Sequence, residues 1–289
     1  MTNLVKLSVT LSLIFSINNV YADREAFEST YVPLAPEKIV IQNASIYDGD
    51  GGEFFETDVL VEDGKIIAIG KDLPFSNEFR VIDATGKWVT PGIIDIHSHM
   101  GVYPAPGVRT SSDGNEATSP VTADVWAEHS IWVQDPQYAL ALTGGVTAFH
   151  ILPGSANLIG GRGVTVKNLQ RVTINSMKFP DAPHSLKMAC GENPKRVYGN
   201  RGQAPSTRMG NAAGYRKSWI QAEGYLRRLN EYEEKSDEAK ELEYAPTRDL
   251  EMETLAGVLK GEILVHNHCY RADEMATMID IAKEFNYKI

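Results

Sequence analysis

The sequence is poor in cysteine and in positive charge. Its 289 residues include two cysteines, and 28 Lys or Arg stand against 38 Asp or Glu, for a net charge of −10. Two cysteines exclude a disulfide-dense scaffold and a four-thiolate zinc site, and allow at most one disulfide. The acidic balance argues against DNA, RNA or an anionic membrane surface as the main partner, because these require basic patches.

Two common catalytic patterns are also missing. The sequence contains no Gly-x-Ser-x-Gly segment, so we do not expect a serine hydrolase with a nucleophile elbow. A glycine-rich stretch at 154–163 is followed by Lys167, but without the Gly-Lys-Ser/Thr spacing of a phosphate-binding loop. We expect that stretch to form a loop near a substrate instead.

Long apolar runs are rare, and the longest lies at the N-terminus. Lys6 precedes an apolar stretch at 7–17, and a Val-x-Ala sequence ends at Ala22. This pattern is typical of a signal peptide, and the run is too short to span a bilayer. We therefore predict a signal peptide over residues 1–22 and a periplasmic or secreted protein. The alternative, a buried N-terminal helix or strand, does not explain the Val-x-Ala ending.

Short strand patterns dominate the sequence before residue 90. Two Val- and Ile-rich segments at 58–62 and 65–69 flank Asp63-Gly64, which is a common two-residue hairpin turn. Similar segments occur at 38–47 and 80–83. They predict a lead-in followed by a small β-sandwich domain over residues 23–90.

From Pro91 onward, strand and helix patterns alternate. Strands are predicted at 93–96, 146–152, 164–166, 185–189 and 262–269, and helices at 136–142, at 219–244 and after Asp273. Such alternation predicts an α/β fold with a parallel sheet. A (β/α)₈ barrel usually takes about 250 residues. Residues 91–289 are fewer, so we expect a partial barrel of about five strands and a chain truncated at its C-terminal end.

The pattern that points most directly to chemistry follows the first barrel strand. His97 and His99 close an apolar strand that begins with Pro91-Gly92. Side chains two residues apart on a strand point to the same side, so both imidazoles can bind one divalent ion. Zinc is typical for nitrogen ligands.

With these residues, the chain resembles the amidohydrolase superfamily of metal-dependent hydrolases, whose first barrel strand ends in His-x-His. Segments 152–157, 191–199 and 268–274 resemble a secreted branch related to imidazolonepropionases and metallo-dipeptidases or metallo-carboxypeptidases. The resemblance implies a (β/α)₈ TIM-type barrel with a small N-terminal β-sandwich. It also implies an exported enzyme that uses metal-activated water to hydrolyse C–N bonds of a cyclic amide or a dipeptide-like substrate.

The resemblance further implies a set of metal ligands. His97 and His99 match the ligands of the first strand, and His268 matches the histidine of the fifth strand. Lys187 lies where many relatives carry a carboxylated lysine that bridges two metals. An ordinary lysine beside a single metal is the alternative. We expect one or two divalent ions, with zinc favoured. The family's catalytic aspartate has no counterpart before Ile289, so the catalytic residue is unknown.

Other residues have weaker support as ligands. Glu192 is a rival oxygen ligand, although its surroundings look like a loop. His266 is expected to be a polar residue deeper in the barrel than His268, and Cys269 a buried thiol. The remaining histidines are singletons that we expect in the core or on the surface: His129, His150 and His184.

Two functions follow as alternatives. The first is the exported amidohydrolase, acting on a small-molecule amide or peptide-like substrate. The second is a catalytically inactive exported protein that keeps the fold and binds a metal or ligand. A glycoside hydrolase would need two opposed carboxylates at the strand ends, where this sequence has histidines and a lysine. We expect no nucleic-acid partner and no membrane span after signal cleavage, and homo-oligomerisation is left open.

Overall fold

The computed structural model describes residues 27–35 and 37–289. The signal peptide predicted for residues 1–22 lies outside the described residues. Among the helices that the structure describes, none combines the length and the apolar character needed to cross a membrane.

The first sheet is built from the predicted N-terminal strands: β1 (Ile39–Tyr47), β2 (Glu53–Glu62), β3 (Lys65–Gly70), β4 (Arg80–Asp83) and β5 (Trp88–Val89). Strand β1 pairs antiparallel with β2 and parallel with β4 and β5. Asp63 and Gly64 join β2 to β3 with φ of +52° and +71°, as a two-residue hairpin turn requires. A small buried cluster holds this sheet together: Ala44, Ile46, Val59 and Ala84.

The second sheet is half of a TIM-type barrel. Its strands are β6 (Ile93–Ser98), β7 (Val146–Ile151), β8 (Ile159–Lys167), β9 (Ser185–Ala189) and β10 (Leu264–His268). They are ordered β10-β9-β8-β7-β6. The predicted fold class, a partial barrel with a small N-terminal β-sandwich, is therefore confirmed as a half-barrel with a separate N-terminal sheet of five strands.

One strand departs from the predicted parallel sheet. Pairs β6–β7 and β9–β10 are parallel, whereas β8 runs antiparallel to both of its neighbours. The expectation of an all-parallel sheet is wrong here because residues 152–158 are too few for a parallel crossover. Such a connection needs about a dozen residues or more.

The α-helices that the structure describes lie between and after the strands of the second sheet: α1 (Gln137–Thr143), α2 (Glu192–Gly199), α3 (Arg208–Glu233), α4 (Asp237–Leu242), α5 (Leu250–Lys260) and α6 (Ala272–Glu284). The helix predicted at 219–244 begins earlier, because the Thr207 side chain accepts a hydrogen bond from the Gly210 amide and caps α3. It also ends earlier, because Ser236 caps the separate helix α4. Trp219 of α3 and Met278 of α6 share one buried cluster with strand residues such as Leu186.

Candidate metal centre

The half-barrel brings the predicted ligands to one end of its strands. His97 is the fifth residue of β6, His99 follows that strand directly, and His268 ends β10. Lys187 lies on β9, where the parallel register sets it opposite His266. In barrels of this type, side chains at the carboxyl ends of the strands form the active site.

Lys187 reaches across the concave face of the half-barrel. Its side chain is buried, with 1 % of the residue exposed. Its Nζ donates a hydrogen bond to His97 Nε2 over 2.9 Å, although two strands separate β9 from β6. Burial lowers the pKa of Lys187 from 10.5 to about 8. The neutral amine, which is the form that adds carbon dioxide, is therefore accessible in mildly alkaline solution.

The other two histidines are oriented by the loop that follows β7. His99 Nδ1 lies 2.8 Å from the Leu152 carbonyl oxygen, and His268 Nδ1 lies 2.7 Å from Ser155 Oγ. Because a carbonyl only accepts, His99 carries its proton on Nδ1 and presents Nε2 as the nitrogen that can bind a metal. Sequence reasoning missed both supporting groups, although segment 152–157 contains them.

The surroundings of these imidazoles favour their neutral form. Partial desolvation at the half-barrel, aided by the Lys187 charge, lowers the pKa of His97 from 6.5 to about 4, although its side chain stays accessible to solvent. The pKa values of His99 and His268 are also lowered, in each case mainly by burial. All three rings are therefore uncharged near neutral pH, which is the form that binds metal ions.

Tyrosine rings stand beside two of the histidines. Tyr103 meets His99 edge to face at a centroid distance of 5.8 Å, and Tyr270 meets His268 at 4.4 Å. Asn115 Nδ2 donates to the Tyr103 hydroxyl. Asn115 also borders an open cavity of about 580 Å³. The cavity is lined by residues of the loops after β6 and β7, among them Val102, Trp126 and Pro153. A cavity of this size suits a small molecule.

Two histidines deeper in the half-barrel form a polar pair instead. His150 is buried, and its Nδ1 and Nε2 bond Thr165 Oγ1 at 2.9 Å and Ser185 Oγ at 2.6 Å. Its ring stacks on His266 with centroids 4.7 Å apart. His150 therefore lies in the core, one of the two locations expected from the sequence, with both ring nitrogens hydrogen-bonded.

The remaining candidates have other roles in the structure. His129 and His184 both pack against the Trp126 ring. Glu192 begins α2 with an exposed side chain, so the loop assignment was wrong. Cys269 is not a thiol, because it forms a disulfide with Cys190. The parallel register of β9 and β10 explains the bond, since it brings the residues that follow the two strands side by side.

Lys187 is the group that could complete the histidine donors. In residues 27–35 and 37–289, no three His, Cys, Asp or Glu side chains are grouped closely enough to hold a metal ion by themselves. Lys187 Nζ lies 2.9 Å from His97 Nε2, one of these donors. A protonated amine cannot bind a cation, whereas a carboxylated lysine presents oxygen atoms there. Neutral imidazole and oxygen donors together suit zinc.

Comparison with known proteins identifies relatives that share most of the chain. No family model matches it. The amidohydrolase tasK of Hapsidospora irregularis is 36 % identical in an alignment of 259 positions, which covers 83 % of this chain and 26 % of that protein. The crystal structure of an amidohydrolase from Thermotoga maritima is 39 % identical with a TM-score of 0.79, and covers 87 % of this chain and 63 % of that one. A dihydroorotase of Lactobacillus helveticus is 46 % identical over 74 residues, 26 % of this chain and 16 % of that protein. The chain thus spans less than two thirds of the length of each relative.

Proposed function

The chain belongs to the amidohydrolase superfamily, and on that premise we propose that it serves an exported, metal-dependent hydrolase of C–N bonds. The observation that carries the proposal is the convergence of three neutral histidines and a buried lysine at one end of the half-barrel. The substrate we propose is a small cyclic amide or a dipeptide-like molecule. Likeness to amidohydrolases and to a dihydroorotase supports this substrate class.

His97, His99 and His268 would hold one or two divalent ions, with zinc favoured, and carboxylated Lys187 would add an oxygen ligand. When bound, the ion would supply activated water at neutral pH and polarise the scissile carbonyl. The chain's own residues prepare the site for it. The Leu152 carbonyl and Ser155 hydroxyl orient two imidazoles, and burial keeps the rings uncharged. Tyr103 and Tyr270 would restrict how a substrate approaches.

We further propose that the protein works outside the cytoplasm. Support comes from the signal-peptide pattern at residues 1–22 and from the Cys190–Cys269 disulfide. Disulfides of this kind persist in oxidising compartments such as the periplasm or the extracellular space and are rare in the cytosol.

The test compares metal content and turnover of the complete gene product with those of a His97→Ala/His99→Ala double variant. His184→Ala is the matched control, since it removes a histidine that lines a different cavity, beside Phe27 and Lys178. We expect the double variant to lose both bound metal and turnover on a panel of cyclic amides and dipeptides, and the control to keep them. Intact metal content and turnover in the double variant would refute the proposal. Metal uptake with no turnover on any panel member would favour the inactive binding protein.

A further inference from the structure

A covalent link joins the ends of the two strands that carry Lys187 and His268. Cys190 follows β9 directly, and Cys269 follows His268 directly. The disulfide connects them over a Cα–Cα distance of 5.1 Å and a sequence separation of 79 residues. Cys269, which adjoins the candidate ligand His268, is therefore bonded to Cys190 at the end of the strand that carries Lys187.

The Cys190 side of the link is firmly anchored. Cys190 is buried, and its amide donates to the His268 carbonyl over 2.7 Å. On one flank, the Ala189 carbonyl accepts a hydrogen bond from the Tyr215 hydroxyl. On the other flank, Gly191 O accepts from Asn211 Nδ2 over 2.8 Å. Helix α3 therefore holds both neighbours of Cys190.

The Cys269 side faces outward. Cys269 is half-buried, and Tyr270, which follows it, is 58 % exposed. Breaking the bond would remove the covalent tie of Cys269 to the anchored Cys190, while the hydrogen bond from the Cys190 amide to the His268 carbonyl would remain. The segment Cys269–Tyr270, and with it the direction of the adjacent His268 ring, would then be held less firmly.

A loosened ligand matters at a metal centre. Losing a group that orients a ligand typically costs roughly 10–100-fold in metal affinity. The described support of the His268 ring consists of a 2.7 Å hydrogen bond to Ser155 and an edge contact with Tyr270. Tyr270 itself lies in the segment that would be held less firmly.

We propose that Cys190 and Cys269 are positioning residues for His268, and that the centre binds its metal tightly only while the two sulfurs are bonded. The inference rests on the metal centre proposed above. It makes metal loading dependent on an oxidising environment, so that a chain retained among thiol reductants would stay poorly loaded.

The reductant of the disulfide is a dithiol, either a cellular one or a laboratory reagent. One thiolate of the dithiol attacks the more accessible Cys269 sulfur and expels the Cys190 thiolate. The second thiolate then displaces Cys269. Two electrons and two protons pass to the protein sulfurs, and the dithiol becomes a cyclic disulfide.

The experiment is a Co²⁺ titration, followed by the visible spectrum of the bound ion, on oxidised and reduced protein. The reductant is removed under anaerobic conditions before the metal is added, because free dithiols bind Co²⁺ themselves. A Cys190→Ser/Cys269→Ser double variant is the matched control. We expect reduction to weaken Co²⁺ binding by tenfold or more, within the roughly 10–100-fold range seen when ligand supports are lost. Reoxidation should restore binding. The double variant should bind Co²⁺ as weakly as the reduced protein does, and the reductant should not change its affinity.

Two additional readouts separate the possible failures. Deuterium uptake should rise at 264–271 on reduction and stay unchanged within α3, which shows that the fold persists. Equal Co²⁺ affinity in both redox forms, or two free thiols in the untreated protein, would overturn the inference and leave the metal centre standing. Absence of Co²⁺ binding in either form would overturn the metal centre and this inference with it.

Discussion

At the scale of single residues, the centre depends on which ring nitrogen each histidine presents. The Leu152 carbonyl leaves His99 only one tautomer. The Ser155 hydroxyl can donate or accept, so it frees His268 Nε2 for a metal only when it accepts from Nδ1–H. Ser155 thereby supports a ligand that lies 113 residues away in sequence.

Ser155→Ala should therefore weaken metal binding by about tenfold, because the His268 ring loses the group that orients it. Ser155→Thr is the control, since threonine keeps the hydroxyl. The measurement is a competition titration with a chromophoric chelator. Equal affinities for wild type and Ser155→Ala would show that the hydrogen bond does not orient the ligand.

The buried histidine pair should make stability depend on pH. Burial, followed by the neighbouring His266, lowers the pKa of His150 from 6.5 to about 4. Between pH 6.5 and about 4, His150 is protonated in the unfolded chain but neutral in the folded chain. The free energy of unfolding therefore falls as the pH falls. The full stabilisation by neutral His150 is present above pH 6.5 and is lost toward about pH 4.

His150→Gln should remove this contribution while keeping partners for Thr165 and Ser185. Urea unfolding near neutral pH and at about pH 4.5 should show wild type losing about 2–3 kcal/mol more than the variant. Equal losses of unfolding free energy in wild type and His150→Gln would mean that His150 is already protonated in the folded state.

At the scale of elements, the turn from β9 into α2 is the most constrained connection near the centre. Gly191 has φ of +68°, and a Cβ at this position would lie 2.4 Å from the Glu274 carboxylate oxygens. That carboxylate is buried and accepts from Arg208 Nε over 2.6 Å. The turn therefore couples the Lys187 strand to the start of α3.

Gly191→Ala should lower the free energy of unfolding by at least about 1–2 kcal/mol, from the unfavourable backbone conformation alone. Gly224→Ala within α3 is the opposite case. Its added methyl would meet only the tip of Arg228 at 3.7 Å, and alanine favours a helix by about 0.5–1 kcal/mol. Chemical denaturation should give shifts of opposite sign. A Gly191→Ala variant as stable as wild type would mean that Glu274 can move aside at no cost.

At the scale of the whole molecule, the two edge strands of the half-barrel differ from its interior. Strands β8 and β9 are largely buried. On the edge strand β6, by contrast, Ile94 and Ile96 are 62 % and 69 % exposed. An exposed apolar edge strand favours pairing with another chain.

This chain should therefore self-associate as its concentration rises, and Ile94→Lys/Ile96→Lys should reduce the association. Leu242→Lys is the control, because Leu242 is also apolar and exposed but lies on α4. Sedimentation velocity over a range of concentrations measures the effect. Equal reduction by the edge variant and the α4 variant would point to general hydrophobicity instead of the β6 edge.

Sequence alone determined the features that depend on local pattern. Alternating Val and Ile marked most strands, and the Asp63-Gly64 turn marked the hairpin, because these preferences act over a few neighbouring residues. The His97/His99 pair was also visible locally, since a strand places alternate side chains on one face. Lys187 and His268 required the family resemblance, because a single lysine or histidine in a strand carries no signal of its own.

Only the tertiary structure decided how the parts meet. It set the direction of β8, bonded Cys190 to Cys269, and brought Lys187 to His97 and Ser155 to His268 across sequence separations of 90 and 113 residues. These contacts arise from strand register and from the curvature that folds the sheet around its concave face. Neither leaves a periodic trace in the sequence, so the groups that orient the ligands could not be read from residue patterns.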